Sequence, residues 1–124
     1  MRNERRIRRS ETTTKALQYQ LMSCCEDGRM EAMLVADGDG LALASSGDTY
    51  ACDEIAARMV LVGRKINEFS GTLLGAGHAW QVQMRKIECE GEELLVCAVG
   101  GSPDARNKQI KRGAEGALRI LQAA

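Results

Sequence analysis

Residues Asp53 to Ser70 carry the pattern that most limits what this chain can become. Ile55, Met59, Val62, Ile66 and Phe69 recur at steps of four, three, four and three. At about 100° per residue they share one side of a helix. Asp53 can cap such a helix by accepting from free N–H groups of its first turn, and Ser70-Gly71 can end it. A second stripe of Ala56, Val60, Gly63 and Asn67 lies roughly 100° round from the first, and only Asn67 in it is polar. A helix laid on one sheet needs a single buried stripe. Two stripes predict burial twice, against the sheet and against another helix, in the same chain or in a second copy. Small residues favour the close approach of a second copy. The expected dimer contact is therefore Ala56, Val60, Gly63 and Asn67. The third side, with Arg58, Leu61, Arg64, Lys65 and Glu68 beside Glu54, is the expected partner-binding surface.

The rest of the core must be aliphatic, because aromatic residues make up only 3% of the 124 positions against 44% hydrophobic overall. Methionine would fill its gaps. The length fits one domain. No apolar run of about 18 residues occurs, and no hydrophobic segment follows the charged start, which predicts a cytoplasmic chain. Five cysteines without a C-x-x-C pair read as reduced thiols that pack as small hydrophobes, including the adjacent Cys24 and Cys25. Net charge is zero but uneven. Residues 1–9 hold five arginines against one glutamate, a net +4 that leaves the remainder at −4. Residues 1–10 thus read as a basic arm on a mildly acidic domain of residues 11–124. If helical, the arm would gather Arg2, Arg5, Arg6 and Arg9 on one face. That face suits nucleic acid, an anionic membrane or the acidic body of a neighbour. With no aromatic residue interleaved, base stacking has no support.

Along the body, Leu17, Leu21 and Cys24 predict a helix over 11–26, capped within Thr12 to Thr14 and stopped at Asp27-Gly28. Residues 31–46 read as a hairpin turning at Asp37-Gly-Asp-Gly40. The two Asp-Gly pairs lack the ligand spacing and closing glutamate of a calcium loop. Gly71, Gly75 and Gly77 read as a flexible connector. A strand follows from His78 to Glu90, where Trp80, Val82 and Met84 alternate with polar residues. Ile87 and Cys89 fall on the opposite parity, which predicts a bulge near Arg85-Lys86. Leu94 to Val99 is apolar throughout, as for a strand covered on both faces. Ser102-Pro103 opens a last helix with Ile110, Ala114, Ala117, Leu118 and Leu121 on its apolar side. Gly113 and Gly116 each cost about 1 kcal/mol there relative to alanine, tolerable where the helix lies close to another element.

Chemistry-bearing motifs are scarce. The single histidine, His78, has no neighbour in sequence proposed as its catalytic partner. There is no phosphate loop, G-x-S-x-G, H-E-x-x-H or paired C-x-x-C, so the sequence predicts no catalytic residue, no metal and no cofactor.

Met33-Leu-Val-Ala-Asp37, Asp39-Gly-Leu-Ala-Leu-Ala-Ser-Ser46, Glu54-Ile-Ala-Ala57, the Leu94–Val99 strand and the closing helix resemble the roadblock family. That family's small profilin-like domain is shared by dynein light chains of this type, scaffold subunits of lysosomal GTPase regulators and bacterial polarity regulators. The resemblance spans roughly residues 12–122, and the arginine arm departs from it. It implies an α+β, profilin-like two-layer fold with an antiparallel sheet of four to five strands and helices packed on it. The order would be helix, hairpin, long helix, strands, helix. Four strands are plain in the sequence, and a break near Arg85 would split the long one to give the fifth. It also implies dimerisation by the long helix and the edge strand after it. In several branches the paired helices form a platform for a Ras-like GTPase. The expected function is therefore a non-enzymatic homodimeric adaptor or regulator of such a GTPase. The alternatives are a nucleic-acid- or membrane-surface module acting through the arm, and a small-molecule sensor.

Overall fold

Ser10 opens the first helix: its hydroxyl accepts from the Thr13 N–H at 3.1 Å. Helix α1 runs Glu11–Gly28 and closes on Arg29 in the left-handed conformation, one step past the expected Asp27-Gly28 stop. The chain is described here by a computed structural model covering residues 10–75 and 77–123. The arginines of the expected arm lie outside those residues.

Strands β1 (Ala32–Ala36) and β2 (Ala42–Ser46) form the expected hairpin. Its turn is braced by the Asp37 carboxylate, which accepts from the N–H groups of Asp39 at 2.9 Å and Leu41 at 3.1 Å. Helix α2 follows at Thr49–Gly63, then β3 (Glu68–Gly75), β4 (His78–Cys89), β5 (Glu92–Val99) and α3 (Pro103–Ala123). Ser102 caps α3 as expected, accepting from the Ala105 N–H at 3.1 Å.

The five strands form one antiparallel sheet in the order β2-β1-β5-β4-β3. This is the α+β class with helices packed on an antiparallel sheet. The helices occupy both faces, giving three layers where two were expected. Helices α1 and α3 cover one face through Leu17, Leu21, Ile110 and Leu121 against Met33, Leu94 and Val96. Helix α2 covers the other through Ile55, Met59 and Val60 against Leu34, Val82 and Met84. All five residues of β1 are buried, as a strand with helices on both sides requires.

Three sequence expectations change. The long helix spans Thr49–Gly63, not Asp53 to Ser70, and its cap is Asp48, whose carboxylate accepts from the Ala51 N–H at 2.9 Å. Residues 68–75, expected to be helix end and connector, form β3. The bulge expected near Arg85-Lys86 is absent: the β4–β5 register runs unbroken from Val82↔Val99 to Cys89↔Glu92. The apolar residues of β4 change parity because the covering helix changes. Trp80, Val82 and Met84 pack in the α2 layer, and Ile87 and Cys89 in the layer of α1 and α3. The ladder's irregularity lies instead between Val35 and Ala36. The fifth strand is thus β3, not half of a split β4.

The two glycines of α3 allow close packing within the chain. A Cβ on Gly113 would stand 3.0 Å from Met33 Cε, and one on Gly116 would collide with Gln20 of α1. Arg112 ties the same two helices together, donating to Asp27 at 2.6 Å and Ser23 at 2.8 Å.

Candidate interaction surface

The stripe expected to meet a second helix is covered by the chain's own sheet and hairpin. Ala56, Val60 and Gly63 are all buried. A Cβ on Gly63 would sit 2.8 Å from Leu95 Cδ2 of β5. Val60 packs against the hairpin at Gly40, whose φ of +83° and tight surroundings suit glycine alone. Asn67 lies beyond the helix, and its carbonyl accepts from the Lys86 N–H at 2.8 Å as β3 begins. The three helical residues therefore fasten α2 to its own sheet, and Asn67 belongs to the turn into β3.

The residues expected to bind a partner divide between two elements. Arg58 and Leu61 lie on α2, Arg64 and Lys65 at its end, and Glu68 on β3. Leu61 is 57% exposed. Arg58 pairs with Glu54 at 3.6 Å and donates to the Leu74 carbonyl at 2.5 Å, so this side of α2 looks across to β3. Glu68 pairs with Arg85 of β4 at 3.9 Å.

Strand β3 is missed in the sequence, and it changes the surface. It is an eight-residue edge that pairs, among the described strands, with β4 alone. Its α2-facing positions are Phe69, Gly71, Leu73 and Gly75, opposite Met84, Val82, Trp80 and His78. The two glycines make room for rings: a Cβ would fall 2.9 Å from the Phe69 ring at Gly71 and 2.7 Å from the Trp80 ring at Gly75. The backbone of α2 packs over β2, β1 and β5. Five strands at about 4.8 Å spacing are wider than one helix of about 10 Å, so β3 lies on a shelf beside it.

Solved structures share this layout. MglB, a gliding protein from Thermus thermophilus, superposes with a TM-score of 0.64 at 17% identity, over 93% of this chain and 95% of that one. A structure described as MglB with tetrameric arrangement gives 0.64 at 17% identity, over 92% and 93%. A Roadblock/LC7 domain from Streptomyces avermitilis gives 0.60 at 13% identity, over 85% and 97%. This is a roadblock fold. No protein-family profile matches the sequence, and no curated protein matches it.

Within this roadblock fold the cysteines are structural. All five are buried, and none is in a disulfide. Burial pushes the Cys24 and Cys25 thiols up, Cys52 up to about 11 and Cys97 up to about 12. Such thiols stay protonated near neutral pH and are poor nucleophiles and metal ligands. Among the described residues no three His, Cys, Asp or Glu side chains are grouped to hold a metal. No described helix is long and apolar enough to cross a membrane. Sequence reading also misses Arg106. It is buried and donates to the Gly100 and Gly101 carbonyls at 2.9 and 3.0 Å, fixing the turn from β5 into α3.

Proposed function

We propose that this chain is a non-enzymatic, cytoplasmic adaptor. Two copies join through β3, and the α2 helices then form a platform that binds and regulates a Ras-like small GTPase. The observation that carries this reading is the long edge of β3, open along its length apart from the Leu74 carbonyl, which Arg58 occupies. Glu68-Phe-Ser-Gly-Thr-Leu-Leu-Gly75 presents about 26 Å of strand with one charged residue, no lysine and no proline. Monomeric proteins guard such edges with charges, proline, bulges or short length. The opposite edge, β2, has only five residues and an irregular ladder. Pairing β3 with its copy would satisfy the free backbone groups and bring a second α2 towards the shelf. The contact then falls on Leu61 and Arg58 rather than on Ala56, Val60 and Gly63, which the chain's own sheet already occupies.

Arg64 and Lys65, exposed at the end of α2, remain for the partner, whereas Glu68 faces the other side of β3 and pairs with Arg85. Self-association is in keeping with the MglB structure described as tetrameric. The GTPase is what the roadblock resemblance implies. Residues 11–124 form the domain and residues 1–10 an appended arm.

Light scattering tests the assembly. The expected mass is twice 13.5 kDa, and Ser70→Lys with Thr72→Lys should return it to 13.5 kDa by placing four lysines along the paired edges. A wild-type mass of 13.5 kDa at micromolar concentration refutes the dimer. For the partner, the Ras-like GTPases of the source genome are loaded with GTP and titrated calorimetrically. Binding should occur, and Arg64→Glu with Lys65→Glu should abolish it without changing the dimer mass. No binding by any of them refutes the GTPase role.

A further inference from the structure

A cleft of about 450 Å³ opens at the N-terminal end of α2, beside the Gly75–His78 end of the β3–β4 pair. Its walls are Asp48, Tyr50 and Glu54 from α2 and its cap, Glu31 just before β1, and His78 with Trp80 from β4. His78 stacks on Trp80 with ring centroids 6.0 Å apart and planes 13° from parallel. Trp80 is 6% exposed, whereas Tyr50 is 80% exposed. Glu54 reaches the same spot: the Cβ position of Gly75, 2.7 Å from the indole, is 3.3 Å from the Glu54 carboxylate. Three carboxylates and three aromatic rings thus line one concavity, with no lysine or arginine among the described residues of its walls. Arg58 pairs with Glu54 at 3.6 Å, through the same Oε2 that approaches Gly75.

Carboxylates beside aromatic faces favour a planar cation. A guanidinium stacks on the rings and donates in the plane to the carboxylates, which a compact ammonium does less well. We infer that this cleft binds an arginine side chain from residues 1–9 of a second copy. Charge complementarity selects the segment, since those residues carry a net +4. Reach selects the second copy. The segment ends at Ser10, at the far end of the 18-residue α1, about 27 Å of helix from the Glu31 end. Nine extended residues span about 30 Å, and the cleft opens on the opposite face of the sheet. A chain's own arm would be used up in covering the length of α1.

Trp80 is the only tryptophan, so its emission reports on the cleft. The receptor is the full chain with Arg2, Arg5, Arg6, Arg8 and Arg9 replaced by glutamine, titrated with a synthetic peptide of residues 1–10. The expected result is a saturable change in Trp80 emission. Glu31→Gln with Glu54→Gln should weaken it at least tenfold at unchanged circular dichroism. A peptide with lysine at the five arginine positions should also bind at least fivefold more weakly. The wild-type chain should approach the peptide-bound emission only as its concentration rises. Absence of a saturable change, equal binding of the lysine peptide, or indifference to the two glutamines overturns the site. Peptide-bound emission in wild-type chain at nanomolar concentration overturns the second copy as donor. The inference goes beyond the adaptor reading and does not use the β3 edge. The Ser70→Lys, Thr72→Lys pair should leave peptide binding intact, so the two can fail separately.

Discussion

Gly63 separates two accounts of α2. If it faces a second chain, as its place in the small-residue stripe predicts, enlarging it should break assembly and leave the fold intact. The structure places it against Leu95 of its own sheet, where a Cβ would stand 2.8 Å from Cδ2 and 3.4 Å from Cδ1. Carbon atoms prefer about 3.5–4.0 Å, and Leu95 is itself buried. Overpacking of this kind costs about 1–3 kcal/mol. Gly63→Ala recovers up to about 1 kcal/mol from helix propensity, so its net cost should be about 0–2 kcal/mol. Gly63→Leu forces three more carbons into the same contact and should cost about 3 kcal/mol or more. For a chain of this size that lowers the melting temperature by about 10 °C. Thermal circular dichroism and light scattering on the same samples decide between the accounts. Removing the obstacle should help: Leu95→Ala alone should cost about 2–5 kcal/mol, and the double variant less than the sum. An unchanged melting temperature with a halved mass in Gly63→Leu would refute the packing assigned here.

Asp48→Ala removes the cap of α2 and should cost about 1 kcal/mol, read by urea denaturation. Asp37→Ala strands two turn N–H groups and should cost about 1–3 kcal/mol in the same assay. The thiols make a pH prediction. Unfolded cysteine ionises near pH 9, whereas burial holds Cys52 and Cys97 neutral up to about 11 and about 12. Their contribution is intact below pH 9 and is lost as pH rises, by up to about 1.4 kcal/mol per pH unit for each. Cys97→Ala should flatten the wild-type decline between about pH 9 and 11. At about pH 8 none of the five thiols should react with a thiol reagent until the chain unfolds.

Much of the fold is legible because its signals are local. Asp37 to Gly40 announces its turn and Ser102-Pro103 its helix. The run Leu94 to Val99 announces a strand covered on both faces. What escapes depends on distant residues. Ile66 and Phe69 continue the helical spacing of Ile55, Met59 and Val62 by coincidence. The helix stops at Gly63, and Asn67 already bonds to Lys86 of β4. The parity change in β4 resembles a bulge because sequence does not say which helix covers which end. The Ala56–Val60–Gly63 stripe is legible as buried, but not against what. Here the cover is Leu95 and the Gly40 turn, both remote in sequence.

The hardest segment to read is also the one that bears most on assembly, and the two facts share a cause. A strand buried on one face declares itself by apolar residues at every second position. In β3 those positions are Phe69, Gly71, Leu73 and Gly75, and the glycines erase half the signal. They are glycines because the Phe69 and Trp80 rings lie where side chains would be. Its other positions, Glu68, Ser70, Thr72 and Leu74, pair with polar or small residues of β4 and look like a loop. A strand so weakly specified by its own residues is held mainly by backbone bonds to β4, and its other row of backbone groups is open apart from the Leu74 carbonyl, which Arg58 of α2 occupies. Its order should therefore depend on what occupies that row. Amide exchange at residues 68–75 should slow at least tenfold between dilute and concentrated protein, while β1 and β5 stay unchanged. Concentration-independent exchange throughout β3 would mean that the edge is stable alone, and the argument for a second copy there would fall.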